Sequence, residues 1–303
     1  MHEIPAAVTA AIEAEEPGVS IQDATTTSIR TASGKRYYFK VGSPGDTDQY
    51  LGESESLKEM HIAAPGLAPR VVACGTVGQD GRSSTSGGRP YFVSEYKNMR
   101  SLTDSAARKL GKRLAMELHT YKSPHGFGFS IPTYCGNTRQ ENGWYQTWEE
   151  CFDALIGGLV AKLVARGRHQ DLCAKAELVR QRVIPELLGP LTIQPVLLHG
   201  DLWSGNTGSD SETGEPVIFD PSSYFGHNEA DLAIARIFGG IPEVFFTTYH
   251  DNLPKTDPQD QYELRGCLYE LYHYLNHTVL FGGAYASSAI AHTERLLRDL
   301  AES

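Results

Sequence analysis

One segment of the chain combines residue types at a spacing that can do chemistry. HGDLWSGN (199–206) follows an apolar run, and Asn206 stands five positions after Asp201. A second aspartate, Asp220, ends the apolar run at 217–219. Phosphoryl transfer to a hydroxyl needs such parts. One carboxylate, Asp201, accepts the hydroxyl proton, while Asp220 and the Asn206 amide oxygen hold Mg2+ on nucleotide phosphates. The spacing of five equals that of the protein-kinase catalytic loop, with Gly200 where those kinases place arginine. Singly, each of these residues is more often a turn former. Together, behind a strand-rich lobe, they point to chemistry.

Such a centre needs a lysine for the phosphates and a carboxylate to hold it. Lys40 sits in the apolar run YYFKV, out of place unless its amine reaches a partner. The following helix, predicted over 48–62, offers Glu53 and Glu55, which lie about 200° apart around the axis. Tyr50, Leu57 and Met60 define its apolar stripe. Glu53 falls on that stripe and Glu55 opposite it, so a Lys40–Glu53 pair is expected. The alternative is an edge-strand lysine in solvent. Strand 90–96 then reads as the link between two lobes, with backbone near Glu95 and Tyr96 offered to an adenine ring; a plain buried strand is the alternative.

The remaining elements give these groups a frame. Residues 21–31 and 36–41 read as a hairpin around Ser33-Gly34, and 70–77 as a further strand. GQDGRSSTSGGR (78–89) reads as an exposed loop. An N-terminal amphipathic helix ends at Pro17-Gly18. After Asn98 the pattern turns helical. Thr103 caps a helix with the stripe Ala107, Leu110, Leu114, Leu118 and Tyr121. Helices follow over 148–166, 171–188, 259–281 and 284–301, with short strands at 196–198 and 217–219. The predicted class is α+β: a small antiparallel-sheet lobe with one helix (1–97), then a larger, mainly helical lobe (98–303).

Composition narrows the function. The 303 residues carry a net charge of −10, against a general nucleic-acid binder. No apolar run is long enough to span a membrane and no secretory leader is read, so no membrane partner is expected. Five scattered cysteines without a CxxC pair fit reduced thiols and a cytoplasmic protein. No Cys/His cluster for a transition metal is read from the sequence.

HGDLWSGN followed by IFDPSSYFGHNEADLAI resembles the fructosamine-3-kinase (ketosamine-3-kinase, protein-ribulosamine 3-kinase) family of the protein-kinase-like superfamily. YFKV, GESESL, YFVSEY, LHTYKSPHGFGF and Trp144–Trp148 extend the resemblance over residues 36–298. The HGDxxxxN element is shared by the superfamily, whereas 220–234 is more specific to the ketosamine kinases. The resemblance implies a bilobal kinase-like fold and an ATP-dependent kinase acting on the sugar 3-hydroxyl of ketoamines, on glycated protein lysines or small amines. It implies Asp201 as base, Asn206 and Asp220 on Mg2+, and Lys40 with Glu53 at the ATP phosphates. Trp203 and His227 are candidate sugar-site residues, with a core tryptophan and a structural histidine as alternatives. Asp231 and His199 are expected to brace the catalytic loop. The phosphate-covering segment at 23–31 has no glycine, so Thr25 and Thr26 are the expected hydroxyl donors there. It also lacks a cysteine, so no disulfide switch is expected. Other readings are an aminoglycoside- or choline-type phosphotransferase, and a pseudokinase that binds without turnover.

Overall fold

The computed structural model describes residues 4–78 and 88–301; most of the predicted 78–89 loop lies outside them. Helix α1 (Ala6–Glu15) presses Ala7, Val8 and Ile12 onto a sheet. That sheet is formed by β1 (Ile21–Ala24), β2 (Ser28–Thr31), β3 (Arg36–Val41), β4 (Val71–Val77) and β5 (Arg89–Glu95), with α2 (Thr47–Ala63) between β3 and β4. Its strands run antiparallel in the order β1-β2-β3-β5-β4. The single strand expected over 21–31 is therefore two. Thr25 Oγ1 accepts the N–H groups of Thr27 and Ser28 at 3.3 and 3.0 Å, and this local turn wins over continued extension.

The larger lobe opens with β6 (Met99–Arg100) and α3 (Asp104–Met116). Thr103 caps α3 as expected, its hydroxyl accepting the Ala106 N–H at 3.3 Å. Four three-residue strands follow, β7 (Phe127–Phe129), β8 (Thr133–Cys135), β9 (Thr138–Gln140) and β10 (Gly143–Tyr145). Helices α4 (Trp148–Ala165), α5 (Gln170–Leu178) and α6 (Ile184–Leu188) come next. The helix expected over 171–188 widens to a π turn at Val179–Val183, because Pro185 lacks the N–H that a continuous α-helix would use. Then come β11 (Val196–Leu198), β12 (Thr207–Asp210), β13 (Pro216–Ile218) and β14 (Tyr224–Gly226). The chain ends with α7 (Asn228–Ile237), α8 (Glu243–Asn252), α9 (Tyr262–Phe281) and α10 (Ala284–Ala301).

Three small sheets stitch this lobe: β10-β7-β14-β11, β13-β12-β6 and the β8–β9 hairpin. Residue 97 separates the two sheet systems, but the main apolar core crosses it. Tyr50, Leu57 and Met60 of α2 and Phe92 of β5 pack with Leu110, Phe152, Leu198 and Leu268. Gly52 explains how closely α2 seats on the β8–β9 hairpin: a Cβ there would lie 2.6 Å from the Pro132 carbonyl oxygen. Among the described residues, no helix is long and apolar enough to cross a membrane. The whole is the bilobal kinase-like α+β fold.

Candidate active site

The catalytic-loop sequence begins where β11, buried throughout, delivers the chain to His199. Gly200 takes φ +81°, and a Cβ there would meet the Ser222 carbonyl oxygen at 2.1 Å, so only glycine passes. Asp231, on the first turn of α7, accepts the N–H groups of His199 and Gly200, each at 2.7 Å. His119 Nε2 lies 3.2 Å from the same carboxylate. Burial works against the Asp231 charge, but these bonds outweigh it and hold the carboxyl below its usual range. His199 accepts the Asp201 N–H on Nδ1 at 3.2 Å, so its Nε2 carries the proton and donates to the Phe219 carbonyl at 3.1 Å. The loop and the strand leading to Asp220 are thereby tied together, as expected for Asp231 and His199.

Within this frame the three predicted residues come together. Asn206 Nδ2 donates to the Asp201 carbonyl at 3.0 Å and to Asp201 Oδ2 at 3.1 Å, with the Asp220 carbonyl at 3.5 Å. Asp220 holds φ 57°, a left-handed conformation that a non-glycine residue keeps only where its surroundings impose it. Burial, then the nearby Asp220, pushes the Asp201 carboxyl up to about 7. The Asp220 carboxylate and the Asn206 amide oxygen form an all-oxygen set, the chemistry that hard divalent cations take.

Across the cleft, Lys40 pairs with Glu53, their side chains 26% and 12% exposed. Burial pulls the Lys40 amine down, but Glu53 and then Asp220 outweigh it and keep the amine protonated above its usual range. Glu55 points to solvent and pairs with Lys58 at 2.6 Å, as its place on the helix predicts. A cavity of about 370 Å³ opens between Lys40, Glu53, Phe92, Met99, Phe219 and Asp220. Glu95, Tyr96 and Lys97 form its rim. The N–H groups of Glu95 and Tyr96 already donate to the carbonyls of Arg70 (2.9 Å) and Arg36 (3.2 Å). A larger cavity, about 580 Å³, lies behind the same rim at Arg36 and Arg70 but touches neither Lys40 nor Asp220.

Three sequence expectations need correction or placement. Thr25 and Thr26 are not brought to the cavity. The Thr25 hydroxyl is spent inside the β1–β2 turn, 2.8 Å from Ser28 Oγ, because a turn lacking glycine needs a side chain to close it. His227 is 1% exposed, with Nδ1 on the Tyr269 hydroxyl (2.7 Å) and Nε2 on Thr256 (2.8 Å). Burial drops it to about 4; it is a neutral structural residue preceding α7, not a cleft residue. Trp203 is half-buried next to the catalytic loop, edge-on to Phe238 with ring centres 5.7 Å apart. Sequence reasoning missed Cys135, whose thiol lies within 4.8 Å of an Asp201 carboxylate oxygen. It comes from a hairpin too short to show periodicity.

Known proteins resemble this chain in sequence and in fold. The fructosamine kinase family model matches residues 5–299. The mouse ketosamine-3-kinase is 35% identical over 84% of this chain and 86% of its own length. The Arabidopsis thaliana chloroplastic protein-ribulosamine 3-kinase is 40% identical over 70% of this chain and 64% of its own. A solved structure of a fructosamine-3-kinase candidate from Haemophilus somnus superposes with TM-score 0.77 at 19% identity, covering 96% of this chain and 97% of that one. At that identity the superposition speaks for the fold, and the family match over nearly the whole length speaks for descent. On both grounds this chain belongs to the fructosamine kinase family.

Proposed function

We propose that this kinase uses ATP and Mg2+ to phosphorylate the sugar 3-hydroxyl of ketoamines, on glycated protein lysines or on small glycated amines. The observation that carries the reading is Asp220 lining one cavity with the Lys40–Glu53 pair while Asn206 ties it to Asp201 alongside. Residues 1–97 then serve as the nucleotide lobe and 98–303 as the catalytic and substrate lobe. The five free thiols suit a reducing compartment.

Bound ATP supplies the transferable phosphoryl group, and Mg2+ neutralises charge on its phosphates. The donor set fits such a cation: the Asn206 amide nitrogen is turned onto Asp201, which leaves its oxygen for a cation beside Asp220. Adenine fits between Phe92 and Met99, and with the Glu95 and Tyr96 N–H groups engaged, the rim offers carbonyls and the Lys97 N–H. Lys40, fixed by Glu53, donates to a phosphate oxygen. Asp201 Oδ accepts the acceptor hydroxyl proton as the oxygen attacks in line. Its carboxyl, raised to about 7, is a stronger base than an exposed aspartate. Trp203 flanks the acceptor side.

The test is 31P NMR of purified protein with Mg-ATP and ribulosyl-lysine, fructosyl-lysine, an aminoglycoside and choline. A sugar 3-phosphate on a ketoamine is expected. Phosphate found on the aminoglycoside or choline alone would move the protein to the neighbouring phosphotransferases. Tight Mg-ATP binding with no transfer would make it a pseudokinase.

A further inference from the structure

Asp201 has neighbours that phosphoryl transfer does not use. Cys135, from β8, and His273, from α9, each place a ligand atom so that these and an Asp201 oxygen all lie within 4.8 Å of one another. Cys135 and His273 are 2% and 4% exposed. Among the described residues, His273 Nδ1 is buried with no hydrogen-bond partner, and so is Asn276 Oδ1 one helical turn further on. An unmatched buried imidazole nitrogen is costly, and a bound ion is one way to satisfy it. The titratable groups acting on Cys135 are Asp201 and Asp220; those on His273 are His277 and Asp231. Asp201, partly exposed, opens it toward the cleft.

We propose that Cys135, Asp201 and His273 form an inhibitory site for a soft divalent cation of the Zn2+ type, distinct from the Mg2+ site. Thiolate, imidazole and carboxylate are the donor types zinc takes, and the thiolate and imidazole set the site apart from the all-oxygen Mg2+ set. Tetrahedral zinc with bonds of about 2.0–2.3 Å puts its ligands about 3.3–3.6 Å apart, within reach by small side-chain rotations. Without metal, burial and the Asp201 carboxylate keep the thiol protonated. On binding, the Cys135 S–H proton leaves to solvent, sulfur bonds the cation, and no electron is transferred. Asn276 Nδ2 braces the Cys135 carbonyl at 3.3 Å. A cation held here occupies the carboxylate that must accept the substrate proton. Inhibition therefore yields to a chelator and not to excess Mg-ATP.

Cobalt, a spectroscopic stand-in for zinc, tests the site without any reliance on the acceptor. Metal-free protein is titrated with Co2+ and then challenged with Zn2+. One cobalt per chain, tetrahedral visible bands, a thiolate-to-cobalt charge-transfer band and displacement by zinc are expected. Cys135→Ser removes the charge-transfer band, and His273→Asn weakens cobalt binding by about 10–100-fold or more. Asp201→Asn, read only by cobalt binding, weakens it likewise and keeps the test open if either other variant fails to fold. In the transfer assay, zinc slows the wild type more than tenfold at saturation and EDTA restores it; each variant's rates with and without zinc form their own ratio. A wild type without the charge-transfer band, or a band that persists in Cys135→Ser, overturns the proposal. So does zinc inhibition relieved by raising Mg-ATP. Failure to find a ketoamine substrate leaves the cobalt result standing, so the two readings fail separately.

Discussion

Two aspartates on either side of the catalytic loop show how one side-chain type is given opposite work. Asp231 is sealed in, and each of its oxygens accepts from a partner: His199 N–H, Gly200 N–H and the His119 ring. Asp201 is less buried and, among the described residues, its carboxylate accepts from Asn206, with the Cys135 thiol nearby. The first carboxyl is held below its usual range, the second raised to about 7. Hydrogen bonding to the charged form wins at Asp231, while desolvation and a second carboxylate win at Asp201. A buried carboxylate that is fully satisfied holds the chain; one left short of partners is available to take a proton.

The sharpest way to break this contrast is to neutralise Asp201. Asp201→Asn is expected to lower kcat by about 10²–10⁴-fold, as loss of a positioned base does, while Mg-ATP still raises the melting temperature. Loss of folding in that variant would erase the distinction from Asp231. Lys40→Ala comes next: kcat/KM falls by about 10²–10³-fold, the scale for removing one preorganised electrostatic donor. Steady-state kinetics over a range of Mg-ATP concentrations checks it, and near wild-type values would return Lys40 to the surface class.

Asp231→Ala should show its effect in stability. Orphaning two buried N–H groups and His119 is expected to cost about 2–5 kcal/mol, read as a lower melting temperature and a lower denaturation midpoint. The two carboxyls also oppose each other in pH. Asp201, raised, contributes stability that is complete below its unfolded value of about 3.9 and is lost as pH rises through about 7. Asp231, lowered, contributes stability that is present above the unfolded value and lost as pH falls through its folded one. In metal-free protein, Asp201→Asn should therefore raise the melting temperature more at about pH 8 than at about pH 5. Equal shifts at both pH values would contradict the raised carboxyl. The smallest effect belongs to Thr25→Ala, under about 1 kcal/mol with nearly unchanged turnover. A loss on the scale of Lys40→Ala would bring that hydroxyl back to the phosphates.

What sequence disclosed follows the range of its signals. The Lys40–Glu53 pair and the outward Glu55 could be read because helix periodicity fixes which side chain faces in. Asp201, Asn206 and Asp220 were readable as a set because two of them share one loop and the third ends the next strand. The Asp231 brace was readable through a family resemblance, not through spacing. The β7–β10 strands were not, since three residues carry no alternation to detect. His227 looked like a cleft residue because its partners, Tyr269 and Thr256, are brought to it only by α9 and the loop before it. Cys135 and His273 were invisible for the same reason. They approach Asp201 from a hairpin and a helix that no local pattern connects.

The close seating of Gly52 on the Pro132 carbonyl has a consequence for control. Gln49 reaches the Gly136 carbonyl at 3.3 Å from the same helix, and Ser56 Oγ accepts the Ser223 N–H at 3.3 Å just beyond Asp220. The helix that presents Glu53 is thus bolted at three points along its length to the other half of the molecule. Swinging it outward, as a switchable enzyme would to uncouple its lysine, means prying all three fastenings open at once. The lysine clamp is set when the chain folds, and restraint of this catalyst must act by blocking its carboxylate or withholding its substrates.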